Sequence, residues 1–147
     1  MFMGEYLHTL DKKGRLILPA RFREVLSGKY IDKLVVTIGL DNCLYAYPPE
    51  EWKVLENKLR SLSKADANAR FYMRALLANA GETIIDKQGR ISIPPALRTK
   101  AGITQSVIVV GVLDCIEIWS KEKWLSYINQ PDKPIEGVAQ QLANMGI

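Results

Sequence analysis

Apolar residues along this chain fall into short runs of two kinds, separated by polar clusters. Leu34 to Ile38 and Val107 to Val110 are rich in β-branched residues and almost wholly apolar, the pattern of buried strands. Glu5 to Leu10 predicts a strand, and a polar Lys12-Lys13-Gly14 tip leads from it into a second, Arg15 to Leu18. Cys43 to Tyr47 and Cys115 to Trp119 are predicted to pair back onto the buried runs, across turns containing Asp41-Asn42 and Asp114. Elsewhere the spacing is helical. Trp52, Leu55, Leu59 and Leu62 follow Pro48-Pro49, and Phe71, Tyr72, Leu76 and Leu77 lie within a second helix predicted over Ala65 to Asn79, ended by Gly81. Short helices are predicted after Pro19 (Phe22, Val25 and Leu26 on one face) and after Pro94-Pro95 (Leu97, Ala101). Gly28 and Gly102 stand where they would stop. A further helix runs through Trp124 and Ile128, closed by Pro131 and Pro134, and Glu136 to Met145 has room for a last turn or two.

The pattern repeats. Leu10 to Arg23 returns as Ile85 to Arg98, an offset of 75 residues measured from Asp11 to Asp86, with Asp, Lys, Gly, Arg, Pro and the final Arg in identical places. A second block, Val35 to Gly39 with Cys43, Glu50 and Trp52, returns as Val107 to Gly111 with Cys115, Glu122 and Trp124. Here the offset is 72, from Gly39 to Gly111. Loops absorb such length changes, whereas strands and helices do not. The chain is therefore a duplicated unit: a first repeat over 1–52, a helical connector over 53–81, a second repeat over 82–130 and a tail over 131–147.

Each repeat alone is too small to be stable. Two copies closing on each other about a pseudo-two-fold axis hide strand edges that would otherwise be sticky. The expected fold class is α+β: one compact β-barrel built from both halves, with helix pairs projecting from it and the two polar hairpins as pseudo-symmetric partners.

The hairpin tips follow from turn chemistry. In Asp11-Lys12-Lys13-Gly14-Arg15 and Asp86-Lys87-Gln88-Gly89-Arg90, three loop residues ending in glycine suit a type I turn with a G1 bulge, since that last position needs a positive φ. The aspartate at the first turn position can bond to backbone N–H groups ahead of it.

Hydrophobic residues make up 48% of the chain and charged residues 24%, a globular composition, and no run reaches the ~18 apolar residues of a membrane span. The start, MFMGEYLHTLD, lacks the basic and apolar regions of a signal peptide, so the expectation is a soluble, cytoplasmic protein with no membrane partner. Two cysteines and one histidine do not make up a structural zinc site. No phosphate loop, dinucleotide fingerprint or HExxH helix is present, and neither a metal nor a cofactor is expected. His8 reads as an ordinary strand histidine. Cys43 and Cys115 read as small buried hydrophobes, because one histidine cannot activate two symmetric thiols. An enzyme is not expected.

The doubled hairpin remains. The net charge of +4 permits a polyanion partner without requiring one, and a single hairpin of this kind is equally well read as a solvated turn. Yet Lys12 and Lys87, and Arg15 and Arg90, recur in both copies, and Lys13, Arg21, Arg23 and Arg98 follow within a few residues, while carboxylates concentrate elsewhere. A β-hairpin presenting arginine and lysine reaches DNA phosphates, and arginine also bonds bidentately to guanine edges. Aromatic residues do not interleave with these cations, which argues against a single-strand stacking platform.

The start, MGEYLHTLDKKGRLILPARFR, and its duplicate, DKQGRISIPPALR, resemble the MraZ family of bacterial transcriptional regulators over nearly the whole chain, fading only in the last dozen residues. The resemblance implies an AbrB/SpoVT-like swapped-hairpin barrel formed within one chain, ring-shaped homo-oligomers and a nucleoid-associated protein. It also implies sequence-specific binding of double-stranded DNA at promoter direct repeats upstream of the division and cell-wall gene cluster, the protein's own operon. Carried over position by position, the DNA-binding residues are Arg15 and Arg90 with Lys12, Lys13, Lys87 and Gln88 at the loop tips, and Asp11, Gly14, Asp86 and Gly89 shape the turns. Gln88 stands where the first motif has Lys13. Two other readings remain: an AbrB-like antitoxin, which would use an extra tail for its partner, and a ring-forming interaction protein whose basic hairpins are incidental.

Overall fold

The computed structural model describes residues 1–147. The first half lays down β1 (Phe2–Thr9), β2 (Arg15–Ile17), α1 (Ala20–Gly28), β3 (Lys33–Ile38) and β4 (Leu44–Tyr47). The connector is α2 (Pro49–Arg60) and α3 (Ala67–Ala78). The second half repeats the order as β5 (Gly81–Ile84), β6 (Arg90–Ser92), α4 (Pro95–Ala101), β7 (Ser106–Leu113), β8 (Cys115–Ser120) and α5 (Lys121–Ile128), with α6 (Ile135–Leu142) in the tail. The molecule is α+β, with a six-stranded antiparallel sheet ordered β1-β7-β8-β4-β3-β5 and a separate two-stranded ribbon, β2-β6.

Strands are exchanged between the halves. β1 lies along β7 from Phe2 opposite Leu113 to Thr9 opposite Ser106, and β5 lies along β3 from Lys33 opposite Ile84 to Val36 opposite Gly81. Where the chain pattern suggests two strands folding back on each other, β1 and β2 share only one bridge, Leu10 to Leu16. The reason is burial. Leu16, Leu18, Ile91 and Ile93 are covered almost completely, because β2 turns away from β1 to pair with β6. The pairing leaves β1 and β5 as the outer strands of the sheet rather than joining them in a closed ring.

One cluster of 19 buried residues holds both halves together. Leu34, Val36, Leu44 and Ala46 meet Val107, Val109, Ile116 and Ile118, with Phe22 and Leu26 of α1 and Leu97 and Ala101 of α4 closing over them. Each fully buried Leu, Ile or Val contributes about 1.5–3 kcal/mol, so neither half could keep this core alone. On the other face of the sheet, Cys43, Ile108, Trp119 and Trp124 form a smaller cluster under α5.

Local signals place most helix ends. Asp66 caps α3 by accepting from the N–H groups of Asn68 (2.8 Å) and Ala69 (3.2 Å), and Gly102 ends α4 in the left-handed region. α1 stops at Gly28 as expected, although the left-handed residue that follows is Tyr30 and not the glycine. Gly81 departs from its expected role. α3 stops at Ala78, and Gly81 opens β5 instead of ending the helix. Phe71, expected on the apolar face of α3, is 75% exposed, while Leu76 is the buried residue of that helix. No helix is long and apolar enough to cross a membrane.

Candidate nucleic-acid interface

Both loop tips fold as their sequences require. Gly14 N–H donates to the Asp11 carbonyl (3.0 Å) and Asp11 N–H to the Arg15 carbonyl (2.9 Å), while Gly89 and Asp86 repeat the bonds at 2.9 and 3.0 Å. Gly14 and Gly89 both have φ of +76°, the left-handed geometry that a G1 bulge assigns to glycine.

The aspartates organise the tips and aim the arginines. Asp11 Oδ1 accepts from the backbone N–H of Lys13 and of Arg15, both at 2.9 Å, and Oδ2 accepts from Arg15 Nε at 2.6 Å. Asp86 binds the N–H groups of Gln88 and Arg90 at 2.9 Å and Arg90 Nε at 2.7 Å. The backbone bond from the arginine N–H, followed by the arginine side chain and the N–H of Lys13 or Gln88, holds each carboxyl below its ordinary pKa. Each pair is formally neutral, so its value to a ligand is directional: Nε is occupied by the aspartate, and a ligand is left the terminal nitrogens. The two copies differ here. Arg90 Nη2 also donates to Gln88 Oε1 (2.8 Å), whereas Arg15 makes side-chain bonds only to Asp11.

The ribbon brings the two motifs side by side. Arg15 pairs with Ser92, Leu16 with Ile91 and Ile17 with Arg90. Leu16 and Ile91 face the core, so strand alternation turns Arg15, Ile17, Arg90 and Ser92 outward. Two further backbone bonds lock the crossing, Leu18 N–H to the Gly89 carbonyl (2.9 Å) and Ile93 N–H to that of Gly14 (3.0 Å).

The remaining cations fall into two groups. Lys12, Lys13, Lys87 and Arg21 are exposed and make no side-chain bond, which leaves them free to meet phosphates. Arg23 and Arg98 are tied down instead: Arg23 Nε donates to the Leu18 carbonyl (3.0 Å) and Arg98 Nε to that of Ile93 (3.1 Å). Each then lies over the opposite half's hairpin glycine, Arg23 over Gly89 and Arg98 over Gly14. Their terminal nitrogens can still approach an anion, but the stems are part of the scaffold. The chain pattern did not single out Ile17 and Ser92 on the outer face. Their alternation with the buried Leu16 and Ile91 was the available signal.

His8 is half-buried, and burial followed by the Arg23 charge lowers its pKa. Cys43, within the second cluster, and Cys115 are both free and buried. Burial pushes Cys43 well above the usual thiol range and Cys115 up to about 12, so both are neutral thiols at physiological pH. No group of three or more His, Cys, Asp or Glu side chains gathers to hold a metal ion.

Comparison with known proteins matches both repeats to one family. The family model described as "MraZ protein, putative antitoxin-like" matches residues 1–75 and again residues 76–144. Proteins named transcriptional regulator MraZ align over 100% of this chain and 100% of their own length: that of Natranaerobius thermophilus is 46% identical, that of Desulfitobacterium hafniense 48% and that of a Thermoanaerobacter species 50%.

Proposed function

The chain belongs to the MraZ family of transcriptional regulators, and from that premise we propose that it binds double-stranded DNA sequence-specifically through its two Asp-x-x-x-Arg hairpins. The targets are direct repeats upstream of the division and cell-wall gene cluster, its own operon. One observation carries the reading: the β2-β6 ribbon sets Arg15 and Arg90 on one outer face, each aimed by its own aspartate, with exposed Lys12, Lys13 and Lys87 at the tips. A two-stranded ribbon fits the major groove, where arginine recognises guanine. The lysines and Arg21 supply the sequence-independent attraction to phosphate, with Arg23 and Arg98 adding their terminal nitrogens.

In this reading the two repeats, 1–52 and 82–130, are the two halves of an AbrB/SpoVT-like swapped-hairpin barrel in which the open six-stranded sheet and the separate ribbon together enclose one core. The exchanged strands and the single core that includes the ribbon support it. One ribbon reads only a few base pairs, so several protomers of a ring-shaped homo-oligomer bind together along repeats spaced near one helical turn, roughly 10 bp. The exposed apolar side chains of α2, α3 and the tail, Val54, Phe71 and Ile135 among them, are surfaces for that self-association. The protein then works in the cytoplasm, on the nucleoid.

Fluorescence anisotropy with a duplex from upstream of the chain's own gene, against a scrambled duplex at low and near-physiological salt, tests this. Specific binding that weakens steeply with salt is expected. Lys13→Gln should lower the salt slope by roughly one per engaged hairpin. Insertion of about half a helical turn between repeats should weaken binding. Salt-independent or absent binding to both duplexes would leave the ring-forming interaction protein as the better reading.

A further inference from the structure

Ile17 and Ser92 occupy the same place in the two repeats, 75 positions apart, and face outward from the same ribbon. Their register neighbours differ only in side: Ile17 lies directly across from Arg90, and Ser92 lies across from Arg15. Cβ atoms of residues opposite each other in such a pair are about 4.5–5.5 Å apart, so each is an immediate neighbour of a candidate base-reading arginine. Ile17 is 45% exposed and belongs to neither buried cluster nor to the apolar residues packed against them. The fold does not require an apolar side chain here, because the second repeat carries serine at the matching position of the matching strand. The Ser92 backbone N–H donates to Thr83 Oγ1 at 3.1 Å, and the Ser92 hydroxyl makes no bond within the chain.

A half-exposed β-branched side chain beside a guanidinium, on the outer face of a two-stranded ribbon, has one apolar complement on the base edges of a major groove: the C5-methyl group of thymine. We propose that Ile17 is a specificity-determining residue that packs against a thymine methyl next to the base met by Arg90. Ser92, at the matching position beside Arg15, offers a hydroxyl that accepts or donates and makes no such demand. The duplicated protein therefore reads an asymmetric element with its two hairpins, which suits direct repeats with a fixed polarity. This inference rests on the DNA-binding reading above and adds to it the chemistry that distinguishes one half-site from the other.

The test uses the full chain and a duplex enriched from a randomised pool by the wild-type protein. Each thymine of that duplex is replaced in turn by deoxyuridine, which removes the methyl and leaves the hydrogen-bonding edge intact. A buried methyl is worth about fourfold in affinity. At one or more positions deoxyuridine should weaken wild-type binding by that factor and leave Ile17→Ser unaffected. Ile17→Val, which keeps a branched apolar side chain, should retain the sensitivity. Thermal unfolding checks that the variants fold, and if Ile17→Ser does not, Ile17→Gln takes its place with the same expected loss of sensitivity. Enrichment of a duplex in which no deoxyuridine weakens the wild type would overturn the inference while leaving DNA binding standing. So would a folded Ile17→Ser variant with unchanged sensitivity. Failure to enrich any duplex would overturn both readings.

Discussion

The guanidinium of Arg98 lies over Gly14, so close that a Cβ built on the glycine would sit 2.7 Å from the guanidinium carbon. Arg98 belongs to the second repeat and Gly14 to the first, and Arg23 makes the reciprocal approach to Gly89. Together with the crossed backbone bonds of Leu18 and Ile93, these contacts fasten each hairpin to the other half of the chain. The tips are therefore held in fixed relation to each other, the precision that a binding constellation needs.

Arg98→Ala should lower stability by about 1 kcal/mol, the value of the bond to the Ile93 carbonyl plus the lost cover over Gly14. Arg21→Ala, whose side chain is bonded to nothing, should stay within about 0.5 kcal/mol. Gly14→Ala forces a Cβ into the left-handed region as well as against Arg98, for a loss of about 1–2 kcal/mol or more. Urea unfolding of the three variants checks the order. A loss for Arg98→Ala no larger than for Arg21→Ala would show that the cross-tie contributes nothing.

Arg15→Ala should weaken operator binding more than Arg90→Ala. The first hairpin carries Lys13 where the second has Gln88, and Gln88 Oε1 already holds one terminal nitrogen of Arg90. A good bidentate contact is worth about 1–3 kcal/mol, so the Arg15 variant should lose about tenfold or more. Anisotropy titrations read the difference in proteins shown to keep their oligomeric state. Equal losses would remove the asymmetry and leave the DNA-binding reading intact.

Acid should loosen the hairpins. The Asp11 and Asp86 carboxyls have pKa values below their unfolded ones, so their contribution is present above about pH 4 and is lost as pH falls through the folded values. In the Asp11→Asn, Asp86→Asn double variant that part of the acid dependence should disappear. Stability followed from neutral pH down to about pH 2 checks it, and parallel curves for variant and wild type would contradict the assignment.

Glu117 should behave in the opposite sense. It is half-buried among Tyr45, Trp119 and the two thiols, and burial raises its pKa, partly offset by the bond it accepts from Trp119 Nε1 (2.9 Å). Stability gained from its protonated form is present below the unfolded pKa and lost as pH rises through the folded one. Glu117→Gln keeps an acceptor for the indole and removes the charge. The variant should be more stable than wild type at neutral pH, and the difference should vanish in acid. Thermal unfolding at both pH values reads it, and a destabilised variant at neutral pH would contradict it.

Much of this protein is written locally. The Asp-x-x-x-Arg turns, the prolines opening α1, α2 and α4, the Asp66 cap and the left-handed Gly102 depend on bonds within about five residues, and the duplication made each of the repeated signals visible twice. The buried runs of β3 and β7 declared themselves by composition, and the cations at the tips declared a candidate surface by recurring. Partnership between distant segments was decided only in three dimensions. β1 alternates in a way that suits any strand edge, and its pairing with β7 about a hundred residues away follows from the closing of one core over Leu16, Leu18, Ile91 and Ile93. The same closure decided that Arg23 and Arg98 serve as ties across the halves, that Phe71 stays in solvent, and that Ile17 stands half-exposed beside Arg90. A short sequence window carries turn chemistry and periodicity. Which buried face meets which, and so which charges end up bonded and which free, depends on packing that no window contains.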